Sequence, residues 1–357
     1  MNTIPITKET CNASVPKELE VQNIRFINIK ESPFRIHGLI WDDENGFIRM
    51  PQNIAATDKL ENLNQMDSGG RVTFRTNSRY IAIKVLYNKS CWFAEGMSSV
   101  GACGFDLYEK TEKGKYIFLK SFLPINRNTE GYCTTVDLFK SRERNLVINF
   151  PVFAGVMDMY IGIDEKGTLQ EGARYTHETP VVFYGSSITH GAFASRPGIT
   201  YPSMLSMKYD FEYTNLGYSG ACRGQKEIVE YISTLDMSVF VLDYDHNAPS
   251  VEHLEKTHYY VYETIRNAHP DIPIIMASRP TYDRGEFNEK KRRNIICASY
   301  EKALRNGDNK VYFVDGRKKF KNFYRNGYVV DGTHPNDVGF EIMARAFSEC
   351  FDDIYKQ

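Results

Sequence analysis

Val181-Val182-Phe183-Tyr184-Gly185-Ser186-Ser187-Ile188-Thr189-His190-Gly191 reads as a short apolar strand that runs directly into a turn rich in small and hydroxyl-bearing residues. From here to the C-terminus the same pattern recurs. Apolar strand-like runs at 211–215, 239–242, 274–277 and 311–314 follow the one at 181–184. Helical periodicity separates them at 201–209, 225–234, 251–268 and 288–305, and a last helix lies near 336–355. Five strands with intervening helices of this length imply right-handed crossovers, so this half is expected to be a three-layer α/β domain on a doubly wound parallel sheet. Ligands on such sheets sit at the carboxyl ends of the strands, which is where 185–191 falls.

Working outward, the character of the chain changes near residue 175. Before it, β-branched and aromatic segments at 21–29, 72–76, 80–87, 105–109, 116–122, 132–138 and 145–153 are separated by turn residues, with no long helix among them. Ile81, Ile83 and Val85 alternate with Ala82, Lys84 and Leu86, the period of a strand with one face buried. Six or seven such strands point to an all-β sandwich. The expected domains are a sandwich over 1–170 and the α/β domain over 178–357, joined by a linker within 164–178 that contains Gly167 and Gly172. A chain of 357 residues has room for about two such cores.

Composition narrows the function classes. Lys+Arg 44 against Asp+Glu 45 leaves a net charge of -1, so no basic surplus attracts nucleic acid or an anionic membrane. No apolar run approaches the roughly 20 residues that span a bilayer, and MNTIPITKETCNAS lacks the parts of a signal peptide. A cytoplasmic protein is expected, unless a leader has been removed, with no nucleic-acid or membrane partner; its oligomeric state is not readable. The seven cysteines (Cys11, Cys91, Cys103, Cys133, Cys222, Cys297, Cys350) are scattered without a C-x-x-C pair. Asp243, Asp245 and His246 lie close in sequence, but neighbouring residues point in different directions. No metal and no organic cofactor is expected.

Four loops carry chemistry. A serine at the mouth of a strand-to-helix turn exposes its hydroxyl beside helix-start N–H groups, so Gly185-Ser186-Ser187 is where a nucleophile would stand; the alternative is simple capping. In Asp331-Gly332-Thr333-His334 the glycine lets the carboxylate curl back onto imidazole Nδ1–H and leave Nε2 as a base. A D-G turn before a capped helix is the plainer reading. After the second strand, Gly220 lets a backbone N–H approach a substrate oxygen, and after the third Asn247 offers an uncharged amide donor. Arg196, Arg223 and Arg279 lie in or after loops of the same kind and are candidates for substrate contact or for ion pairs.

Taken together, these blocks resemble the SGNH hydrolase superfamily, the GDSL-type esterases and lipases, over residues 180 to 357. On that resemblance Ser187 matches the nucleophile, Gly220 and Asn247 the oxyanion donors together with the Ser187 N–H, and Asp331 with His334 the D-x-x-H pair. Ser186 stands where the family usually has Asp, and His246-Asn247-Ala248 departs from the usual G-x-N-D. Gly104-Phe105-Asp106-Leu107-Tyr108 is similar to the G-x-D-L-Y signature of an all-β domain that precedes certain bacterial SGNH hydrolases, and Ala194-Ser195-Arg196-Pro197-Gly198 is typical of the same group. The resemblance implies a cofactor-independent esterase acting on a small-molecule or oligosaccharide O-acyl ester, an acetylated sugar more than a lipid. A glycan-binding protein with a silent second domain, an acyltransferase and a lipase remain open.

Overall fold

The computed structural model describes residues 3–7, 10, 16, 19, 22–56, 58–89, 94–124, 129–280, 288–321 and 325–356. Val21, where the first expected strand opens, and Cys11 and Cys91 lie outside the described residues. Two compact units form, one from Met1–Pro51, Asn62–Thr176 and Ala194–Gly198, the other from Gln52–Glu61, His177–Phe193 and Ile199–Gln357. Two short segments, 52–61 and 194–198, thus belong with the unit from which their sequence position separates them.

In the first unit the strands are β1 (Ile4–Pro5), β2 (Ile24–Asn28), β3 (Arg35–His37), β4 (Ile40–Asp42), β5 (Gly46–Ile48), β6 (Arg71–Thr76), β7 (Tyr80–Tyr87), β8 (Phe105–Lys110), β9 (Tyr116–Phe122), β10 (Gly131–Asp137), β11 (Arg144–Asn149) and β12 (Val156–Asp164). They make two five-stranded antiparallel sheets, ordered β1-β10-β7-β12-β2 and β3-β6-β11-β8-β9, and the hairpin β4-β5. The all-β architecture is as expected, with more strands than the six or seven counted from the sequence. β12 is the largest omission. Asp158 and Gly162 interrupt its apolar run, yet it is an inner strand that pairs with β7 and β2. The half-buried alternation read in β7 is also corrected: Ile81 to Tyr87 are all buried, Lys84 at 4% included. A second cluster of Ile6, Leu19, Leu86 and Cys133, with Phe26 and Tyr160, covers part of the outer face of this sheet. Lys84 fits there because its ammonium lies 5.1 Å from the centre of the Phe26 ring and 4.5 Å from that of Tyr160.

β8 carries Phe105-Asp106-Leu107-Tyr108 of the G-x-D-L-Y signature, directly after Gly104, and their purpose is visible. The buried Asp106 carboxylate accepts from Asn149 Nδ2 at 2.8 Å, Arg196 Nη1 at 3.0 Å and the Gly198 N–H at 2.8 Å. Arg196 also donates to the Tyr108 hydroxyl, and its guanidinium lies 4.1 Å from the centre of the Phe118 ring. A Cβ on Gly198 would stand 2.6 Å from Tyr108 Oη, so only glycine fits. Asp106 and Tyr108 are therefore one half of a polar cluster whose other half is Arg196 and Gly198. Removing the carboxylate leaves the half-buried Arg196 guanidinium and the Asn149 amide without their acceptor, at a cost of about 1–3 kcal/mol. Asp106→Ala is expected to lower the urea midpoint accordingly, with little change in m-value; an unaltered midpoint would show the cluster to be dispensable.

The second unit holds β13 (His177–Gly185), β14 (Phe211–Gly217), β15 (Val239–Asp243), β16 (Ile274–Ala277) and β17 (Val311–Val314), all parallel and ordered β14-β13-β15-β16-β17. Helices Tyr201–Tyr209, Lys226–Ser233, Val251–Ala268, Glu289–Arg305 and Asp337–Tyr355 fall where the periodicity placed them. Val181, Phe183, Val241, Ile275 and Phe340 are buried in its core. From β13 the chain goes to β14 on one side and then to β15 on the other, so the strand order reverses beside β13 and a crevice opens at its carboxyl end. Among the described residues no helix is long and apolar enough to cross a membrane.

Candidate active site

Ser187 starts the short helix Ser187–His190 at that crevice, directly after β13. The two serines divide the work. Ser186 is the N-cap, its Oγ accepting from Ile188 N–H at 3.2 Å, which leaves the Ser187 hydroxyl out of the cap. Gly191, at φ 103°, closes the helix with its N–H on the Ser187 and Ile188 carbonyls. Gly185 admits no side chain, because an added Cβ would stand 1.9 Å from Thr189 Oγ1.

The half-buried Ser187 Oγ lies 2.7 Å from His334 Nε2, and His334 Nδ1 lies 2.7 Å from Asp331 Oδ2. Asp331 holds more than the ring. Its Oδ1 accepts from the N–H groups of Thr333 at 3.0 Å and His334 at 2.8 Å, a loop that Gly332 closes at φ 83°. Burial raises the Asp331 carboxyl, but the His334 N–H, its ring and the Thr333 N–H outweigh it and hold the group below the ordinary carboxylate range. Asn336 then caps helix Asp337–Tyr355, accepting from Gly339 N–H at 3.1 Å. The Phe193 ring lies 5.2 Å from the His334 ring, centre to centre, tilted by 35°.

Below the serine turn a buried polar network fixes the backbone. Asp243, at the end of β15, accepts from Tyr201 Oη at 3.0 Å and Thr189 Oγ1 at 3.2 Å, and burial pushes its carboxyl up to about 7. Asn215 donates to the Thr189 carbonyl at 2.8 Å and accepts from Gly217 N–H at 2.9 Å.

The two expected oxyanion donors meet each other. Gly220, at φ 67°, donates its N–H to Asn247 Oδ1 at 3.0 Å, while Asn247 Nδ2 donates to the Tyr218 carbonyl at 2.8 Å. Asn247 therefore fixes the glycine loop as well as presenting an amide, and the second hydrogen of that amide is not engaged by the Tyr218 bond.

The three candidate arginines part company. Arg196 is engaged by Asp106 in the first unit, which is the ion-pair alternative of its two readings. Arg279 is buried on Asp245, with Nη2 to Oδ1 at 3.2 Å. Arg223 is exposed and donates to the Gly220 carbonyl at 3.0 Å. A cleft of about 620 Å³ is lined by Arg223 and Arg279 together with Gly220, Asn247 and Thr333. It is also lined by Lys59, His246 and Arg292, which the sequence reading did not select for the site. His246 stood in the right loop and was weighed only as a metal ligand; nothing near Lys59 in the sequence connects it with this unit. Among the described residues no group of His, Cys, Asp or Glu is arranged to hold a metal ion.

Residues 178–352 match the model of a GDSL-like lipase/acylhydrolase family, and residues 24–169 match that of GxDLY, the N-terminus of SGNH-hydrolase-type esterases. No curated protein matches the chain. A GDSL-like protein from Bacteroides ovatus ATCC 8483 is similar at 26% identity and a TM-score of 0.82, over 94% of this chain and 98% of that one. The salicylyl-acyltransferase SsfX3 from a tetracycline biosynthetic pathway is similar at 17% identity and a TM-score of 0.76, over 93% and 98%. A family two carbohydrate esterase from Clostridium thermocellum, in complex with cellohexaose, is similar at 14% identity and a TM-score of 0.56, over 88% and 97%. A parallel α/β unit preceded by antiparallel β sheets is the class of two-part esterases with the SGNH fold. This chain belongs to the GDSL-like (SGNH) esterase family, in the group with an N-terminal GxDLY domain.

Proposed function

We propose that the chain is a serine esterase that removes short acyl groups, acetyl first among them, from hydroxyls of a carbohydrate. The observation that carries this reading is the unbroken hydrogen-bond chain Ser187 Oγ, His334 and Asp331, with both links at 2.7 Å. In the proposed reaction Ser187 donates its proton to His334 Nε2 as Oγ attacks the ester carbonyl, and the carbonyl electron pair moves onto oxygen. The Ser187 N–H, Gly220 N–H and Asn247 amide stabilise that oxyanion, which requires the Gly220 to Asn247 bond to open or to be shared. The imidazolium, balanced by Asp331, returns its proton to the departing sugar hydroxyl as the tetrahedral intermediate collapses. Water then attacks the acyl-Ser187 by the same steps and releases the acid.

A short acyl group and a hydroxyl-rich alcohol suit the cleft because charged and amide side chains make up much of its lining. A long acyl chain laid there would strip water from those groups without replacing their hydrogen bonds. The sugar is in keeping with the cellohexaose held by the Clostridium thermocellum esterase. An acyl series from acetate to octanoate on one activated leaving group, followed by acetylated oligosaccharides with and without an added alcohol acceptor, tests the reading. The expected result is a steep fall in kcat/KM with chain length and release of free acetate. An octanoate preference would make the protein a lipase, and transfer to the alcohol in place of hydrolysis would make it an acyltransferase.

A further inference from the structure

The cleft, which reaches the Asp331–His334 loop at Thr333 but has neither Ser187 nor His334 in its lining, carries more positive charge than the ester of a neutral sugar needs. Lys59, Arg223, Arg279 and Arg292 line it, and Glu252 is the acidic lining residue among the described ones. The cations come from separate places in the sequence, and two of them, Lys59 and Arg223, meet at Gly220. Lys59, exposed on 52–61, holds its ammonium over that glycine: a Cβ there would stand 2.6 Å from Nζ. Arg223, also exposed, is bound to the carbonyl of the same glycine at 3.0 Å. The other two are 4% exposed and share one carboxylate, Arg279 Nη2 at 3.2 Å and Arg292 Nε at 2.7 Å from Asp245 Oδ1. Two guanidiniums less one carboxylate leave a formal charge of +1 in that cluster.

The nearby acids do not reverse this sign. Glu252 is exposed and within reach of the charges of Lys291 and Lys256. Glu289, buried at the head of helix Glu289–Arg305, does not line the cleft. That helix and Val251–Ala268 both present their N-terminal ends, through Asn288 and through Ser250 and Val251, which adds the positive ends of two helix dipoles. His246 responds to the same field. Burial first, and then the Arg279 guanidinium, push its imidazole well below the usual range, so the ring is neutral; its Nε2 has no partner among the described residues.

We infer that the alcohol portion of the substrate bears an anionic group, a carboxylate or a phosphate, that sits at Gly220 between Lys59 and Arg223, in the cleft that Arg279 and Arg292 also line. The inference rests on the esterase reading and makes its substrate an O-acylated acidic sugar.

Matched acetyl esters of a neutral hexose, the corresponding hexuronate and the hexose phosphate provide the test. One or both anionic esters are expected to exceed the neutral one in kcat/KM by about 10-fold or more, and the excess shrinks with added salt. Which of the two is preferred identifies the anion. Lys59→Gln with Arg223→Gln, both at exposed positions, is expected to cut the anionic-over-neutral ratio by about 10-fold. Equal rates on all three esters, or a ratio that the substitutions leave unchanged, overturn the inference. Should no ester be hydrolysed, the esterase reading fails, and the anion site at Gly220 is decided separately, by titrating Ser187→Ala protein with the free hexuronate, hexose phosphate and hexose in a calorimeter. Anion binding that the two substitutions weaken upholds it; no preference for either anion over the neutral hexose overturns it.

Discussion

Ser187→Ala is expected to reduce kcat on an activated acetate ester by about 10⁶-fold, to what oxyanion contacts and binding alone supply. The loss is this large because the hydroxyl forms the covalent intermediate, and among the described residues no other nucleophile is placed 2.7 Å from His334 Nε2. His334→Ala should cost nearly as much, and the double variant little more than either alone, since nucleophile and base act as a unit. Ser186→Ala provides the contrast. It removes an N-cap bond of 3.2 Å to Ile188 N–H, about 1 kcal/mol of local stability, and leaves the Ser187 hydroxyl in place. Turnover by folded Ser187→Ala protein at the wild-type rate, with near-UV circular dichroism unchanged, would remove Ser187 from the mechanism.

Asp331→Asn is expected to lower kcat by about 10⁴-fold, more than Asp331→Ala does. The reason lies in how the two carboxylate oxygens are committed. Oδ1 already accepts two backbone N–H groups, from Thr333 and His334, so an amide retains its oxygen there and turns its NH₂ towards His334 Nδ1. An NH₂ donor facing Nδ1 selects the tautomer with hydrogen on Nε2, and that nitrogen then cannot accept the Ser187 proton. Alanine imposes no tautomer and lets water take the place of the carboxylate, at the price of a looser loop. Steady-state kinetics on the two variants, with the imidazole tautomer read by ¹⁵N NMR, decide the matter. An asparagine variant more active than the alanine variant would mean that Asp331 serves chiefly to hold the loop.

The two halves of the chain differ in how much of them could be read. β13, β14 and β15 and their helices were legible because each is a local run with its own period, and the five helices lie within a residue or so of the expected bounds. β12 was missed because Asp158 and Gly162 break its apolar pattern. What calls for glycine there is a cross-strand neighbour, Ala82, whose Cβ would lie 2.8 Å from one added at 162, and that contact has no local trace. Lys84 misled in the opposite direction: a charged residue in an alternating strand signals solvent, whereas here Phe26 and Tyr160 cover it.

From the sequence alone come the family, the two-part architecture and the residues of the hydrogen-bonded chain, because Ser187 ends a recognisable strand and Asp331 and His334 lie three residues apart around a glycine. Only the tertiary structure decided what the arginines do. Arg196, Arg223 and Arg279 look alike in sequence, yet one lies against Asp106, one is exposed at the cleft, and one is buried against Asp245 beside Arg292. It also brought Lys59 to Gly220, across 161 positions of chain. The physical reason is range: period, capping and turn chemistry act between residues a few positions apart and leave a mark in the sequence, whereas the partner of a long charged side chain is whichever group the fold brings within about 3–4 Å of its tip.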